Sequence, residues 1–178
     1  MKDTLTRREM VKIGLGSMAA LTVGGRRTGA EARRLHLGLV TYNVAKGWDL
    51  DTLLRLVGEA GFEGVEFRST HAHGVEPTLS PSERGEVKRK CAAAGMKQVS
   101  LGTACEFHSP DPAVVRKNIE EVREWVLLAR DLGARGIKVR PNGLPEGVPV
   151  DETLEQIGRA LTECGEIASD HGVEIWVE

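Results

Sequence analysis

The feature that most constrains this sequence is a repeated unit in which a helical pattern ends in a glycine and a short β-type run follows. The glycines are Gly61, Gly95, Gly133 and Gly172, and they are separated by 34, 38 and 39 residues. An interval of this length holds one strand and the helix that crosses to the next parallel strand. With a first run ahead of Gly61, the sequence predicts five strands, at residues 35–42, 64–68, 98–102, 136–140 and 173–178.

The segments between these runs carry start signals and apolar stripes that are typical of helices. Ser80 precedes Pro81 and Glu83, which predicts a capping box with proline at the first helical position. Asp111 and Asp151 are good N-cap residues for the two helices that follow. Two apolar series step by three and four residues and predict helices that dock on a sheet. They are Val115, Ile119, Val122, Val126 and Ala129, and then Leu154, Ile157, Leu161, Cys164 and Ala168.

Strands that alternate with helices in this way predict a parallel sheet with right-handed crossovers. A five-stranded doubly wound sheet fits the number of strands, whereas a complete eight-stranded barrel needs about 250 residues. The last β-type run stops without a helix to cover it, which is unusual for a self-contained open sheet. We therefore predict an α/β fold of the (β/α)8 TIM-barrel type, with residues 33–178 supplying its first four to five βα units.

The first 32 residues have the features of a twin-arginine signal peptide in their expected order. An arginine pair, apolar residues and a lysine precede an apolar stretch about half as long as the ~20 residues of a membrane helix. The features are Arg7, Arg8, Lys12, the stretch 13–23 and the cleavage-type segment Ala30-Glu31-Ala32. They predict export to the periplasm without a membrane anchor, and the alternative is a frayed start to a cytoplasmic protein.

Composition excludes several classes of function. Lys and Arg number 24 against 26 Asp and Glu, and beyond residue 32 the counts are 18 and 23, so no basic nucleic-acid surface is expected. Cys91, Cys105 and Cys164 form no CxxC motif and are expected to be buried thiols. The sequence has no GxxxxGK[ST] loop, no GxGxxG after a strand and no GxSxG motif, so phosphate-loop and serine hydrolase chemistry lack support.

Polar residues stand at the end of every predicted strand, where a parallel barrel gathers its reactive groups. Glu178 ends an otherwise apolar run, where an unpaired carboxylate is costly to bury unless a cation meets it. Carboxylates and imidazoles from separate strands can hold Mn²⁺, Co²⁺, Mg²⁺ or Zn²⁺, and such an ion polarises carbonyls and vicinal hydroxyls. The catalytic candidates are Glu178, which is also the metal candidate, His108 and His71, and the substrate-binding candidates are Tyr42, Glu106, Arg140 and Asn142.

Each of these candidates also has a purely structural interpretation. Glu178 could be a frayed final residue, and His71 and His73 could lie in a solvated turn. His108 could simply lie in the loop that leads into the next helix, and Arg140 could form an ion pair with an acidic neighbour. Glu66 and Glu106 could orient imidazoles or be ordinary loop charges.

Five segments carry a family resemblance that covers nearly all of residues 35–178. They are Glu63-Gly64-Val65-Glu66-Phe67-Arg68, Glu106-Phe107-His108-Ser109, Asn118-Ile119-Glu120, Ala129-Arg130-Asp131-Leu132-Gly133-Ala134 and Ile137-Lys138-Val139-Arg140-Pro141. Together they resemble the sugar phosphate isomerase/epimerase family with the xylose isomerase-like TIM barrel. The resemblance implies a metal held by Glu, Asp, His and Glu from the later strands, of which only Glu178 is matched here.

The resemblance implies a metal-dependent isomerase or epimerase whose partner is a small-molecule sugar or polyol. Because three ligands would follow Glu178, we expect the chain to be a fragment that is inactive alone and continues for about 100 residues. In the related apurinic endonucleases, histidines at the positions of His71 and His108 bind further metal ions. The alternatives are such a metal hydrolase, an exported non-catalytic carbohydrate-binding barrel, and a five-stranded flavodoxin-like domain; a homo-oligomer is left open.

The predicted leader has a direct test. We expect protein recovered from the periplasmic fraction to begin after Ala32, as read by N-terminal sequencing. Mature protein that still carries Met1 would contradict export by this route.

Overall fold

The structure, a computed structural model, describes residues 35–178. The leader predicted for residues 1–32 lies outside the described residues. Within the described part of the chain, no helix is long and apolar enough to cross a membrane.

Strands and helices alternate without exception along the described chain. The elements are β1 (Gly38–Val40), α1 (Leu50–Glu59), β2 (Gly64–Arg68), α2 (Pro81–Ala93), β3 (Gln98–Gly102), α3 (Pro112–Leu132), β4 (Gly136–Val139), α4 (Val150–Ser169) and β5 (Glu174–Val177). Two strands match their predicted bounds, whereas β1, β4 and β5 are shorter because their outer residues make no continuous ladder. The four glycines of the repeat all adopt positive φ, between 66° and 79°, at the ends of the helices.

All five strands are parallel, and their order in the sheet is their order in the chain, β1-β2-β3-β4-β5. Right-handed crossovers between successive neighbours place every helix on the same face of the sheet. A doubly wound sheet instead reverses its strand order at a switch point. The predicted partial TIM-barrel architecture is therefore confirmed, and the flavodoxin-like alternative is wrong.

Strand register divides the side chains between two faces. Val65, Phe67 and Leu101 point towards the helices and are at most 3% exposed. The opposite face, here called the inner face, carries Glu66 and Lys138, since side chains alternate along each strand. The register pairs Glu66 with Ser100, Arg68 with Gly102, Gly102 with Lys138, and Lys138 with Trp176. Charged residues of distant segments therefore meet on the inner face.

The layer between the sheet and the helices is the hydrophobic core. Its largest fully buried side chain is Trp125 of α3, which is 2% exposed. Cys91, Cys105 and Cys164 are all buried and unbridged, as predicted. Burial raises the pKa of their thiols to about 11, 12 and 12, so they remain protonated. They serve as small hydrophobic groups rather than as nucleophiles.

The helix-start predictions are confirmed at two of three positions. Ser80 forms the capping box with Glu83, and the Asp111 side chain accepts from the backbone N–H of Ala113. The N-cap prediction for Asp151 is wrong because α4 begins at Val150; Asp151 lies in the first turn instead. There its negative charge still interacts favourably with the positive end of the helix dipole.

One position of the apolar stripe predicted for α4 is also wrong. Leu154 is 53% exposed, and the residue before it, Thr153, is 3% exposed. The docked face of α4 consists of Thr153, Ile157, Ala160, Cys164, Ile167 and Ala168. The periodicity predicted the helix correctly but included one position beside the stripe.

The core gives a stability prediction with an internal control. Leu101→Ala removes a fully buried side chain from β3 and is expected to lower the free energy of unfolding by about 2–5 kcal/mol. Leu154→Ala removes the same atoms from an exposed site and should cost less than about 1 kcal/mol. Urea unfolding followed by circular dichroism measures both. Equal losses would contradict the assignment of the core to the helix-facing side.

Candidate active site

The carboxyl ends of the strands border a cleft of about 590 Å³ on the inner face. It is lined by Val40, Tyr42, Arg68, Lys138, Arg140, Asn142 and Glu178. Four of the predicted site residues are therefore in one place, although they come from segments that follow β1, β4 and β5. This edge is where parallel barrels carry their reactive groups.

A chain of ion pairs crosses the inner face beside the cleft. The Lys138 ammonium lies 2.7 Å from Oε1 of Glu66 and 3.2 Å from Oε2 of Glu178. The side chains of Lys138 and Glu66 are 15% and 13% exposed, whereas that of Glu178 is 56% exposed. Burial acts to lower the pKa of Lys138, but the two carboxylates outweigh it and raise that pKa. Lys138 therefore remains a cation, and it holds the Glu178 carboxylate at the cleft.

Three of the predicted substrate-binding residues form a second polar network. Oε1 of Glu106 accepts hydrogen bonds from Nδ2 of Asn142 at 2.8 Å and from Nη2 of Arg140 at 3.3 Å. The backbone N–H of Glu106 donates to Oδ1 of Asn118 at 3.0 Å, which ties the loop to α3. Arg140 thus pairs with an acidic neighbour, and Glu106 positions two cleft residues from behind without lining the cleft.

His71 lies beside Tyr42 at the rim of the cleft. Its Nδ1 is 3.0 Å from Oγ1 of the buried Thr41, and its ring stacks parallel to Tyr42 with centroids 6.4 Å apart. Burial lowers the pKa of His71, and the positive charges of Arg68 and Lys46 lower it further. A neutral imidazole is therefore favoured here, and it supports the tyrosine ring.

His73 is a core residue, so its interpretation as part of a solvated turn is wrong. It is 6% exposed, and its Nδ1 accepts a hydrogen bond from the backbone N–H of Val75 at 3.0 Å. The Phe67 ring packs against it edge to face, with ring centroids 5.0 Å apart. Its Nε2 is buried and has no partner within residues 35–178. Burial lowers the pKa of His73 to about 4, with a smaller contribution from His71.

His108 lies in a different cleft, between the loop after β3 and α4. The neighbouring carbonyls of Phe107 and Ser109 accept hydrogen bonds from Nε2 of Gln156 at 2.7 and 2.9 Å. This second cleft also contains Glu152 and Arg159. The structure therefore does not bring His108 into the cleft that contains Glu178.

The cleft offers a metal ion a single carboxylate. Among the described residues, no three His, Cys, Asp or Glu side chains lie close enough together to hold a metal ion. Glu178 can supply one ligand, and its other oxygen partner is the Lys138 ammonium, with which a metal ion would share that carboxylate. A complete metal site would require donors from outside residues 35–178.

Three cleft residues, Val40, Arg68 and Lys138, were not among the predicted site residues, and the last two are charged. The guanidinium carbon of Arg68 lies 5.4 Å from the Tyr42 ring centroid, and its Nη1 donates to the Thr103 carbonyl at 3.0 Å. Both charged residues follow apolar neighbours in strands whose alternate positions are buried. That alternation was the signal that could have placed them on the inner face.

Comparisons with known proteins agree with this architecture. Residues 54–178 match the model of a family described as xylose isomerase-like TIM barrel. No protein of curated function is significantly similar in sequence.

Solved structures show the same fold. D-psicose 3-epimerase from Clostridium cellulolyticum H10, solved with D-tagatose, is 16% identical with a TM-score of 0.67, over 79% of this chain and 51% of its own. IolI protein with a bound zinc atom is 18% identical with a TM-score of 0.66, over 80% and 51%. The 3-keto-D-glucoside 4-epimerase YcjR from E. coli is 13% identical with a TM-score of 0.65, over 81% and 56%. The chain spans about half the length of these proteins, and the likeness shows the fold alone.

The burial of His73 predicts how stability depends on pH. Because its pKa is about 4 in the fold and 6.5 ordinarily, the unfolded chain binds the proton more tightly. Its contribution to stability is present above pH 6.5 and is lost as the pH falls towards 4, by about 2 to 3 kcal/mol at pH 4.5. His73→Asn keeps an acceptor for the Val75 N–H and does not titrate. Urea unfolding at pH 7 and 4.5 should show a smaller loss for this variant, and equal losses would contradict the assignment.

Proposed function

Because this chain belongs to the xylose isomerase-like TIM barrel family, we propose that it contributes to the active site of a metal-dependent isomerase or epimerase that acts on a sugar or sugar-like polyol. The observation that carries the proposal is the position of Glu178. Its carboxylate follows β5 at the open cleft, in contact with the Lys138 ammonium and among the polar side chains of Tyr42, Arg140 and Asn142.

The structural neighbours support this class of reaction. D-psicose 3-epimerase and 3-keto-D-glucoside 4-epimerase are sugar epimerases by name, and the IolI protein holds a zinc atom. Their common fold places its reactive groups at the edge of the sheet where this cleft lies. We extend to this chain the reaction class and the need for a divalent ion, whether Mn²⁺, Co²⁺, Mg²⁺ or Zn²⁺.

The cleft residues have distinct roles in this proposal. Glu178 is the residue placed to hold the ion, which when bound supplies polarisation of adjacent sugar oxygens. Lys138 pairs with the Glu178 carboxylate and holds it at the cleft. Asn142 and Arg140, fixed by Glu106, present donors to hydroxyl groups, and the exposed face of Tyr42 packs against the sugar ring. A carboxylate side chain that faces the reacting sugar carbon removes and returns the proton of that carbon. This side chain is either Glu178 or one from outside the described residues.

The location and partners complete the proposal. We infer periplasmic export from the sequence of residues 1–32, and a small-molecule sugar or polyol as the partner. The balanced charge, with 24 basic and 26 acidic residues, offers no surface for nucleic acid.

The test compares two glutamates of one strand segment in protein made from the whole gene. Glu178→Gln removes the proposed ligand, whereas Glu174→Gln changes a carboxylate at the opposite end of β5 that pairs with Arg135. We expect Glu178→Gln to lose its bound divalent ion and to lower the rate of epimerisation about a hundredfold or more. Glu174→Gln should keep both. Elemental analysis measures the metal, and NMR of deuterium exchange into a panel of ketoses measures turnover.

The other outcomes separate the alternatives. Bound sugar without deuterium exchange for any ketose would favour a non-catalytic carbohydrate-binding barrel. Cleavage of DNA at abasic sites would favour a metal hydrolase of the apurinic endonuclease type. Full metal content in Glu178→Gln would contradict the proposed role of Glu178.

A further inference from the structure

Arg68 differs from the other cations that line the cleft. Lys138 pairs with Glu66 and Glu178, and Arg140 pairs with Glu106. None of the ion pairs formed within residues 35–178 includes Arg68. The side chain is half-buried, and its Nε is buried and has no hydrogen-bond partner there. The cleft therefore holds one guanidinium that forms no ion pair with a carboxylate of the described chain, although Oε1 of Glu66, which pairs with Lys138, lies near the arginine stem.

The fold fixes Arg68 in this position. A Cβ placed on Gly102 would lie 2.6 Å from Cδ of Arg68, so the absence of a side chain on β3 makes room for the arginine stem. Nη1 donates to the Thr103 carbonyl, and the Tyr42 ring lies 5.4 Å from the guanidinium carbon. The segment at the end of β3 and the segment after β1 therefore both hold the group, and no residue within 35–178 accepts a hydrogen bond from Nη2.

A half-buried cation without a counter-charge is unfavourable unless a ligand neutralises it. At the rim of the cleft, the positive charges of Lys46 and Arg68 both lower the pKa of His71. A planar guanidinium matches a carboxylate or a phosphate better than it matches a neutral hydroxyl.

We propose that Arg68 binds the carboxylate of an acidic sugar, so that the substrates of this site are sugar acids such as uronates. This rests on the proposed function and narrows its substrate class. A carboxylate carries the single negative charge that one unpaired cation neutralises. A phosphate carries nearly two charges and three acceptor oxygens, and the other two cations of the cleft are already paired with glutamates.

The experiment measures binding of D-glucuronate, D-glucose and D-glucose 6-phosphate to the full chain by saturation-transfer NMR and calorimetry. We expect the wild-type protein to bind glucuronate at least about tenfold more tightly than glucose. Arg68→Gln should abolish this preference, and Arg68→Lys should retain part of it. Arg89→Gln, which changes an arginine on α2 with a 73% exposed side chain, should leave it unchanged.

A second variant tests the position of the guanidinium without removing its charge. Gly102→Ala introduces a methyl group 2.6 Å from Cδ of Arg68 and 2.8 Å from Oε1 of Glu66, and it should lower the preference for glucuronate as Arg68→Gln does. Thermal unfolding of each variant shows whether the fold is retained. Higher ionic strength should weaken the binding of glucuronate and leave that of glucose unchanged.

The outcomes distinguish this proposal from the proposed function. Turnover of neutral ketoses that is unaffected by Arg68→Gln would overturn the acidic-sugar proposal and leave the epimerase proposal standing. Binding of glucuronate that depends on Arg68, without turnover of any sugar, would do the reverse. Tighter binding of glucose 6-phosphate than of glucuronate, or a loss of stability in Arg68→Gln with unchanged preferences, would also overturn it.

Discussion

The parallel pairing of five strands in chain order is the constraint on which the rest of the structure depends. It places all the helices on one face, so that the apolar positions of each strand and each helix share one core. The side chains at the alternate strand positions, including Glu66 and Lys138, point to the inner face. The parallel pairing also brings the carboxyl ends of the strands to one edge, and the candidate site exists because those ends are polar.

The ion pairs on the inner face follow from this pairing of the strands. Lys138 of β4 pairs with Glu66 of β2, across β3, and with Glu178 after the adjacent β5, whereas Arg140 pairs with Glu106 from the loop after β3. These pairings leave Glu178 exposed at the cleft and Arg68 outside the ion pairs formed within residues 35–178. The cleft therefore offers a carboxylate to a cation and a guanidinium to an anion. A site of this kind suits a ligand that carries several oxygens of different charge.

Much of the fold was predictable because local signals agreed with one another. Helix-ending glycines, the capping box at Ser80 and the stripe from Val115 to Ala129 all predicted the observed elements. The predictions for Asp151 and Leu154 were wrong because several polar and apolar residues cluster where α4 begins. Pro149 is the N-cap residue instead of Asp151, and Thr153 is buried instead of Leu154. Such choices between nearby residues depend on packing against neighbouring elements.

The sequence by itself determined the alternation of strands and helices and the polar residues that follow each strand, because periodicity and turn chemistry act over a few residues. Only the tertiary structure decided which of those residues meet. Glu106 and Asn142 are 36 residues apart in the chain yet share a hydrogen bond, whereas His108, two residues from Glu106, lies in another cleft. The burial of His73 and the unpaired Arg68 likewise depend on distant neighbours, since desolvation and ion pairing are set by distances in space.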